Sequence, residues 1–220
     1  MNPVDGYGGQ RPSPRLLPPV VAGLLIANGV MFLLQGSLDD LLTRYLALWP
    51  FSDTRGSLFA AGGHALFHPW QLVTYAFLHA GVLHLLLNMY ALWMFGIRLE
   101  NLWGSRAFLL YYFVCVVGAA TVQLLVSSFN GEIYPTIGAS GGVFGVLLAF
   151  GMNFPNERLL LLFPPVILKA KWFVVLFGAI ELWFGVTGTA PGIAHFAHLG
   201  GMLFGYLLLL HWRHSPPGHE

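Results

Sequence analysis

Ser140 and His198 are the residues of this chain whose types and surroundings suit nucleophilic chemistry. In PTIGASGGVFGVLLAF, Pro135 to Phe150, Ser140 stands among Gly138, Gly141, Gly142 and Gly145 where an apolar run begins. In GIAHFAHLGGMLFGY, His198 is followed by Gly201 and Gly205 three and seven residues later, which places all three on one helical face. A hydroxyl is a weak nucleophile until a base within hydrogen-bond reach takes its proton, and a histidine on a face trimmed to glycine can approach a neighbouring helix closely. If that neighbour is the glycine-rich run, His198 meets Ser140, and Phe144, one turn after Ser140, would stack on the imidazole. HAGVLHLLLNMYALWMFG adds His84 and Asn88, four residues apart on one face, two donors of the kind acyl transfer needs where negative charge develops. Plainer readings stand beside these. Ser140 is also a small residue suited to a Gly-xxx-Gly helix crossing, and His84 and Asn88 would serve equally as hydrogen-bonding glue between helices.

Other polar residues compete for the same roles. His195 lies one turn before His198 but lacks glycines at plus three and plus seven, so His198 is the better base. His79 is expected to hydrogen bond to the loop preceding its span. His64 and His68 have a metal-compatible spacing, yet no carboxylate adjoins them and no His-Glu-x-x-His helix is present, so neither a metal nor another cofactor is expected. His211, His214 and His219 read as interface or tail. Glu181 lies in an apolar run, where an acid is by default a functional candidate; its proximity to Gly188 favours a structural role, at the outer interface or bonded across to another helix, with orientation of His198 as the alternative. The single Cys115 provides no disulfide framework and reads as a small core residue.

These side chains need a membrane bundle to hold them. Of 220 residues 56% are hydrophobic and only 9% charged, against roughly a quarter charged in soluble domains. A net charge of +1 with no long basic run leaves no electrostatic footprint for nucleic acid. The Pro- and Gly-rich start, Met1 to Pro19, reads as a flexible tail outside the membrane. The apolar run from Leu16 to Gly36 exceeds the ~7–15 residues of a signal-peptide core and is read as a retained first span. Further runs lie near Trp70 to Ile97, Ala107 to Ser127, Ile137 to Asn153, Lys171 to Gly188 and Ile193 to Trp212. The expected fold is therefore all-α and polytopic, with six transmembrane helices. The membrane domain covers residues 16–212, between cytoplasmic tails at 1–15 and 213–220.

With the N-terminus inside, Arg11, Arg15, Arg98, Arg106, Arg158, Lys169, Lys171 and Arg213 fall on the cytoplasmic side, leaving Arg44 and Arg55 outside. The first outer connection, Ser37 to Pro69, is rich in Trp, Phe, Leu and Pro, and is expected to lie in the interface as a partly helical flap. From Gly138 to Asn153 a helix rises only about 22 Å, short of the roughly 30 Å hydrocarbon core, so Ser140 is expected below the outer surface. A recessed helix start presents unpaired N–H groups, a positive end suited to an oxyanion.

Together these segments resemble the rhomboid intramembrane serine proteases. The likeness covers about Trp70 to Tyr206 and rests on HPWQLVTYAFLHAGVLHLLLN, ENLWGSRAFLLYYF, GASGGVFG and AHLGGMLFG, in order and at matching depths. The resemblance implies a rhomboid-like bundle with a Ser140–His198 dyad, and an oxyanion hole from His84, Asn88 and the Ser140 backbone N–H. Gly138 and Gly141 would belong to the Gly-x-Ser-Gly motif, with Phe144, Gly201 and Gly205 as supporting residues. Glu100, Gly104 and Ser105 look like the family's structural signature after the second span. Two features depart from the family: Trp49 is followed by Pro50 rather than Arg, and Phe144 stands where Tyr is frequent. The implied activity is peptide-bond hydrolysis in transmembrane segments of other membrane proteins, in a bacterial cytoplasmic membrane with the site open to the outer face and lipids as neighbours. A noncatalytic rhomboid-like protein that binds transmembrane helices is the alternative. A transporter would call for paired broken helices or a repeat, neither of which is seen.

Overall fold

Prolines open the first helix, where a missing N–H costs nothing, and a distant acid completes its start. The computed structural model describes residues 14–51, 67–130, 134–161, 165–190 and 192–214. Helix α1 (Pro19–Leu46) has no side-chain cap of its own. The buried Glu100 serves instead: Oε1 accepts from Val20 N at 3.0 Å and Ser105 Oγ at 2.7 Å, and Oε2 from Val21 N at 2.8 Å. A carboxylate at a helix N-terminus satisfies orphan donors and complements the dipole. Glu100→Gln should lower stability by ~1–2 kcal/mol, the scale of a lost charged cap. Thermal unfolding in detergent micelles checks this, and an unchanged Tm would show that other groups already satisfy these amides.

The chain continues through α2 (Gln71–Thr74), a 3-10 turn (Tyr75–Phe77), α3 (Val82–Ala91), a π turn (Leu92–Gly96) and α4 (Ile97–Trp103). Next come α5 (Ser105–Asn130), α6 (Ser140–Asn153), α7 (Ala170–Thr187) and α8 (His195–His214). Between α6 and α7 a hairpin of β1 (Arg158–Leu161) and β2 (Val166–Lys169) pairs antiparallel, with Arg158 opposite Lys169 and Leu161 opposite Val166. The all-α expectation is corrected to a mostly helical fold with, among the described residues, one small antiparallel strand pair, formed where β-branched and leucine residues follow a turn outside the apolar spans.

Among the described residues four helical stretches are long and apolar enough to cross a membrane: Pro19–Leu46, Val82–Trp103, Ser105–Asn130 and Ala170–Thr187; Ser140–Asn153 is apolar but shorter. Large apolar side chains on their outer faces, among them Ile26, Leu33, Leu87, Val175 and Trp183, are exposed. Exposed apolar helices of this length suit lipid as solvent, so the chain is described as a multi-pass integral membrane protein.

Two boundaries differ from the sequence reading. Helix α1 runs on to Leu46 with a kink at Leu38 (φ −127°, ψ 21°), because Asp39, Asp40 and Arg44 lower the hydropathy without stopping the helix. The apolar stretch from Trp70 is not one helix: the chain turns at His79 to Gly81, and the long helix begins at Val82. Of the first outer connection, residues 52–66 lie outside the described residues, as do Arg11, Arg55, His64, His219 and most of both tails. Leu48 and Thr136 exchange backbone hydrogen bonds of 3.0 and 2.9 Å, tying the chain after α1 to the segment that enters α6.

The core lies where α5, α6 and α8 meet. Tyr111, Tyr112, Cys115 and Val116 of α5 are fully buried, and α6 hides most of its surface. Two of the buried tyrosine hydroxyls bond across the core, Tyr75 Oη donating to Val116 O and Tyr111 Oη to Gly145 O, both at 2.8 Å, while Tyr112 Oη has no partner among the described residues. Such bonds fix the rotation of each helix against the next, because the alternative is a buried unpaired donor.

Candidate active site

Ser140 owes its position to two backbone features. Gly138, at φ +125°, adopts a conformation that disfavours side chains, and its N–H donates to Tyr75 O at 3.0 Å. Helix α6 then starts at Ser140, with Ala139 as the preceding cap residue and no side chain closing the end. Intrahelical bonding begins at Val143 N, which donates to Ala139 O, so the N–H groups of Ser140, Gly141 and Gly142 have no acceptor within the helix.

His198 comes to Ser140 because α6 and α8 cross at glycines. A Cβ built at Gly201 would collide with the Gly141 carbonyl oxygen and lie 2.7 Å from its carbonyl carbon. Across this crossing His198 Nε2 stands 2.7 Å from Ser140 Oγ. Phe144 stacks on the imidazole, with ring centroids 4.3 Å apart and planes 5° from parallel. Gly205 differs from its expected role: a Cβ there would meet Tyr111 and Cys115 of α5, so it sets the α5–α8 approach rather than α6–α8.

His84 occupies the opposite side of Gly138. Its Nδ1 accepts from Ala80 N at 3.3 Å, which puts the proton of the neutral ring on Nε2. A Cβ built at Gly138 would lie 2.9 Å from that Nε2 and 3.6 Å from Ser140 Oγ. One point in space therefore sees both a hydroxyl and an N–H donor, the relation a reacting carbonyl needs. Asn88 is buried, and its amide donates to His84 O at 2.9 Å, one turn back on its own helix. His79 bonds through its backbone: its N–H donates to Gln35 Oε1 at 2.8 Å, while its ring meets His84 edge-on at 5.0 Å. His68 stacks on Trp70 at 4.4 Å, away from any chemistry.

Glu181 reaches further into the site than its expected structural role required. From α7 it is buried, and its Oε2 lies 2.6 Å from His195 Nδ1 and 2.8 Å from His198 Nδ1. The acid in an apolar run was the available signal; its partners depend on how α7 is rotated against α8. Among the described residues, Glu181, His195 and His198 form the one cluster of metal-ligand type. Two ligands about 2.0–2.1 Å from a tetrahedral zinc stand roughly 3.3 Å apart. The shorter separations found here are those of shared protons.

The family profile described as Rhomboid domain matches residues 66–214. The chain is 30% identical over 211 residues to presenilin-associated rhomboid-like protein, mitochondrial, of Rattus norvegicus, covering 90% of this chain and 51% of that protein. It is 30% identical over 189 residues to rhomboid protease GluP of Bacillus subtilis (86% of this chain, 34% of that protein). Against RHOMBOID-like protein 1 of Arabidopsis thaliana the figure is 35% over 139 residues (63% of this chain, 33% of that protein). The chain thus spans about half the length of the first of these relatives and about a third of the others. Mitochondrial and bacterial proteins both appear among them, so they do not support the expected bacterial cytoplasmic membrane.

Proposed function

The chain belongs to the rhomboid family, and from that premise we propose that it is an intramembrane serine endopeptidase with transmembrane segments of other proteins as substrates. The observation that carries the reading is the 2.7 Å contact of His198 Nε2 with Ser140 Oγ at an uncapped helix start. In the proposed reaction Ser140 Oγ attacks the scissile carbonyl carbon while its proton passes to His198 Nε2. The oxyanion is met by the Ser140 N–H and His84 Nε2–H, with Asn88 as a further donor if its amide leaves His84 O. Collapse breaks the C–N bond, and the amine leaves with the proton from His198. Water then attacks the acyl ester, giving its proton to His198, which returns it to Ser140 Oγ as the ester C–O bond breaks.

Positioning within the bilayer belongs to the same proposal. Adding α6 and α8 to the four long spans gives six crossings, with residues 16–212 forming the membrane domain. The lysine and arginine distribution favours both ends of this domain on the positive side and the serine toward the other face. A helix of 14 residues from Ser140 rises about 21 Å, which supports a site below the surface.

A fluorophosphonate probe applied to the purified chain should form an adduct on Ser140, located by mass spectrometry, and the chain in liposomes should cleave a transmembrane test helix. A folded chain that neither labels nor cleaves would favour the noncatalytic helix-binding reading. Within an active chain, His84→Ala should lower kcat by ~10²–10³ and Asn88→Ala by a similar factor if its amide turns to the oxyanion. Unchanged kcat in either variant removes that residue from the hole.

A further inference from the structure

His198 is held from both sides, and the second hold involves residues outside the serine–histidine pair. Its Nε2 faces Ser140 Oγ at 2.7 Å, and its Nδ1 faces Glu181 Oε2 at 2.8 Å. The same carboxylate oxygen stands 2.6 Å from His195 Nδ1, and His195 Nε2 lies 3.2 Å from Ala190 O. All three side chains are buried, on α7 and α8.

The protons of this chain of contacts can be counted. Ala190 O only accepts, so His195 Nε2 carries a hydrogen. For Ser140 to give up its proton, His198 Nε2 must hold a lone pair, so the hydrogen of neutral His198 is on Nδ1 and is donated to Glu181. The remaining contact, Glu181 Oε2 with His195 Nδ1, requires one more proton between them. It resides on His195, making an imidazolium–carboxylate pair, or on Glu181, making a neutral pair. In either case the three side chains together carry no net charge, which answers how an acid is accommodated at this depth. When His198 takes the proton of Ser140, the new positive charge faces the shared oxygen while the oxyanion carries the balancing negative charge.

We propose that Glu181 is a positioning residue that fixes His198 as its Nδ1–H tautomer, with His195 sharing the compensating proton, so that the site works as a relay of four side chains rather than a pair. This rests on the proposed protease reading. It gives α7 a role in the chemistry, since the relay closes only when α7 is seated against α8. Gly185 of α7 fits this contact: a Cβ there would lie 3.2 Å from Phe196 and 3.3 Å from the Cβ of His195.

The test uses the full chain in liposomes with a transmembrane test helix, comparing wild type with Glu181→Gln, Glu181→Asp and Ser140→Ala. An amide at position 181 can turn an N–H toward His198 Nδ1 and favour the wrong tautomer, so Glu181→Gln should lower kcat by roughly 10²- to 10⁴-fold with KM unchanged. Labelling by the fluorophosphonate probe should slow in parallel, and Glu181→Asp should recover part of the rate. Nitrogen NMR of wild type with ¹⁵N-histidine, assigned with His198→Ala, should find the His198 proton on Nδ1. This holds whether or not the Glu181 variants fold. A proton on Nε2 of resting His198, or a kcat for Glu181→Gln within about threefold of wild type, overturns the inference while an inactive Ser140→Ala leaves the protease reading standing. A wild type that neither cleaves nor labels overturns both.

Discussion

Ser140→Ala in a chain reconstituted with a cleavable transmembrane helix should lose turnover by on the order of 10⁶-fold, and His198→Ala should lose nearly as much. The two act as a unit: without the hydroxyl there is no atom to acylate, and without Nε2 the hydroxyl keeps its proton. Their double variant should therefore be no slower than the serine variant alone. Ser140→Ala touches little else, since among the described residues the Ser140 side chain bonds to His198 Nε2, so its Tm should move by less than that of Glu100→Gln. Gel-based cleavage, with unfolding followed in parallel, checks both statements. Turnover by Ser140→Ala above about a hundredth of wild type would mean that another residue attacks, or that the cleavage is a contaminant's.

Gly201→Ala should damage both rate and stability, although it removes no reacting group. The added methyl would overlap the Gly141 carbonyl, a backbone group that cannot rotate away. Relief requires α6 and α8 to separate, and the Ser140–His198 contact spans that same crossing. A displacement of about 1 Å is enough to cost roughly 10²-fold in rate, and overpacking of a tight core costs roughly 1–3 kcal/mol or more. The expected variant is less stable and at least about a hundredfold slower, with its residual activity further depressed by Gly201→Val. Gly23→Ala is the control, because a Cβ at Gly23 meets nothing within 4 Å, and it should leave rate and Tm unaltered. If Gly201→Ala retained full activity, the close crossing would not be what holds the nucleophile to its base.

How much was legible varied with the range of the interaction. Helical periodicity is local, so the shared face of His198 and Gly201 and the stacking position of Phe144 followed from spacing. The shortness of α6 followed from the length of its apolar run. The break between Leu78 and Val82 did not, because an apolar average stays high across a turn whose residues are themselves apolar. Gly205 could be placed on a face, but whether that face meets α5 or α6 depends on how three helices share one contact line.

Glu100 and Glu181 mark the same boundary from the polar side. Glu181 stood out as an acid within an apolar run, which demands a partner, whereas Glu100 was singled out through the family resemblance. Glu100 found its partners 79 and 80 residues away at the start of α1, and Glu181 found two histidines one helix on. By itself the sequence determined the apolar runs, the candidate nucleophile and base, and the need of Glu181 for a partner, because these depend on composition and local geometry. Only the tertiary structure decided which groups satisfy those needs. Helix rotation and crossing distance arise from side chains on different helices interlocking at once, and no single segment carries that information.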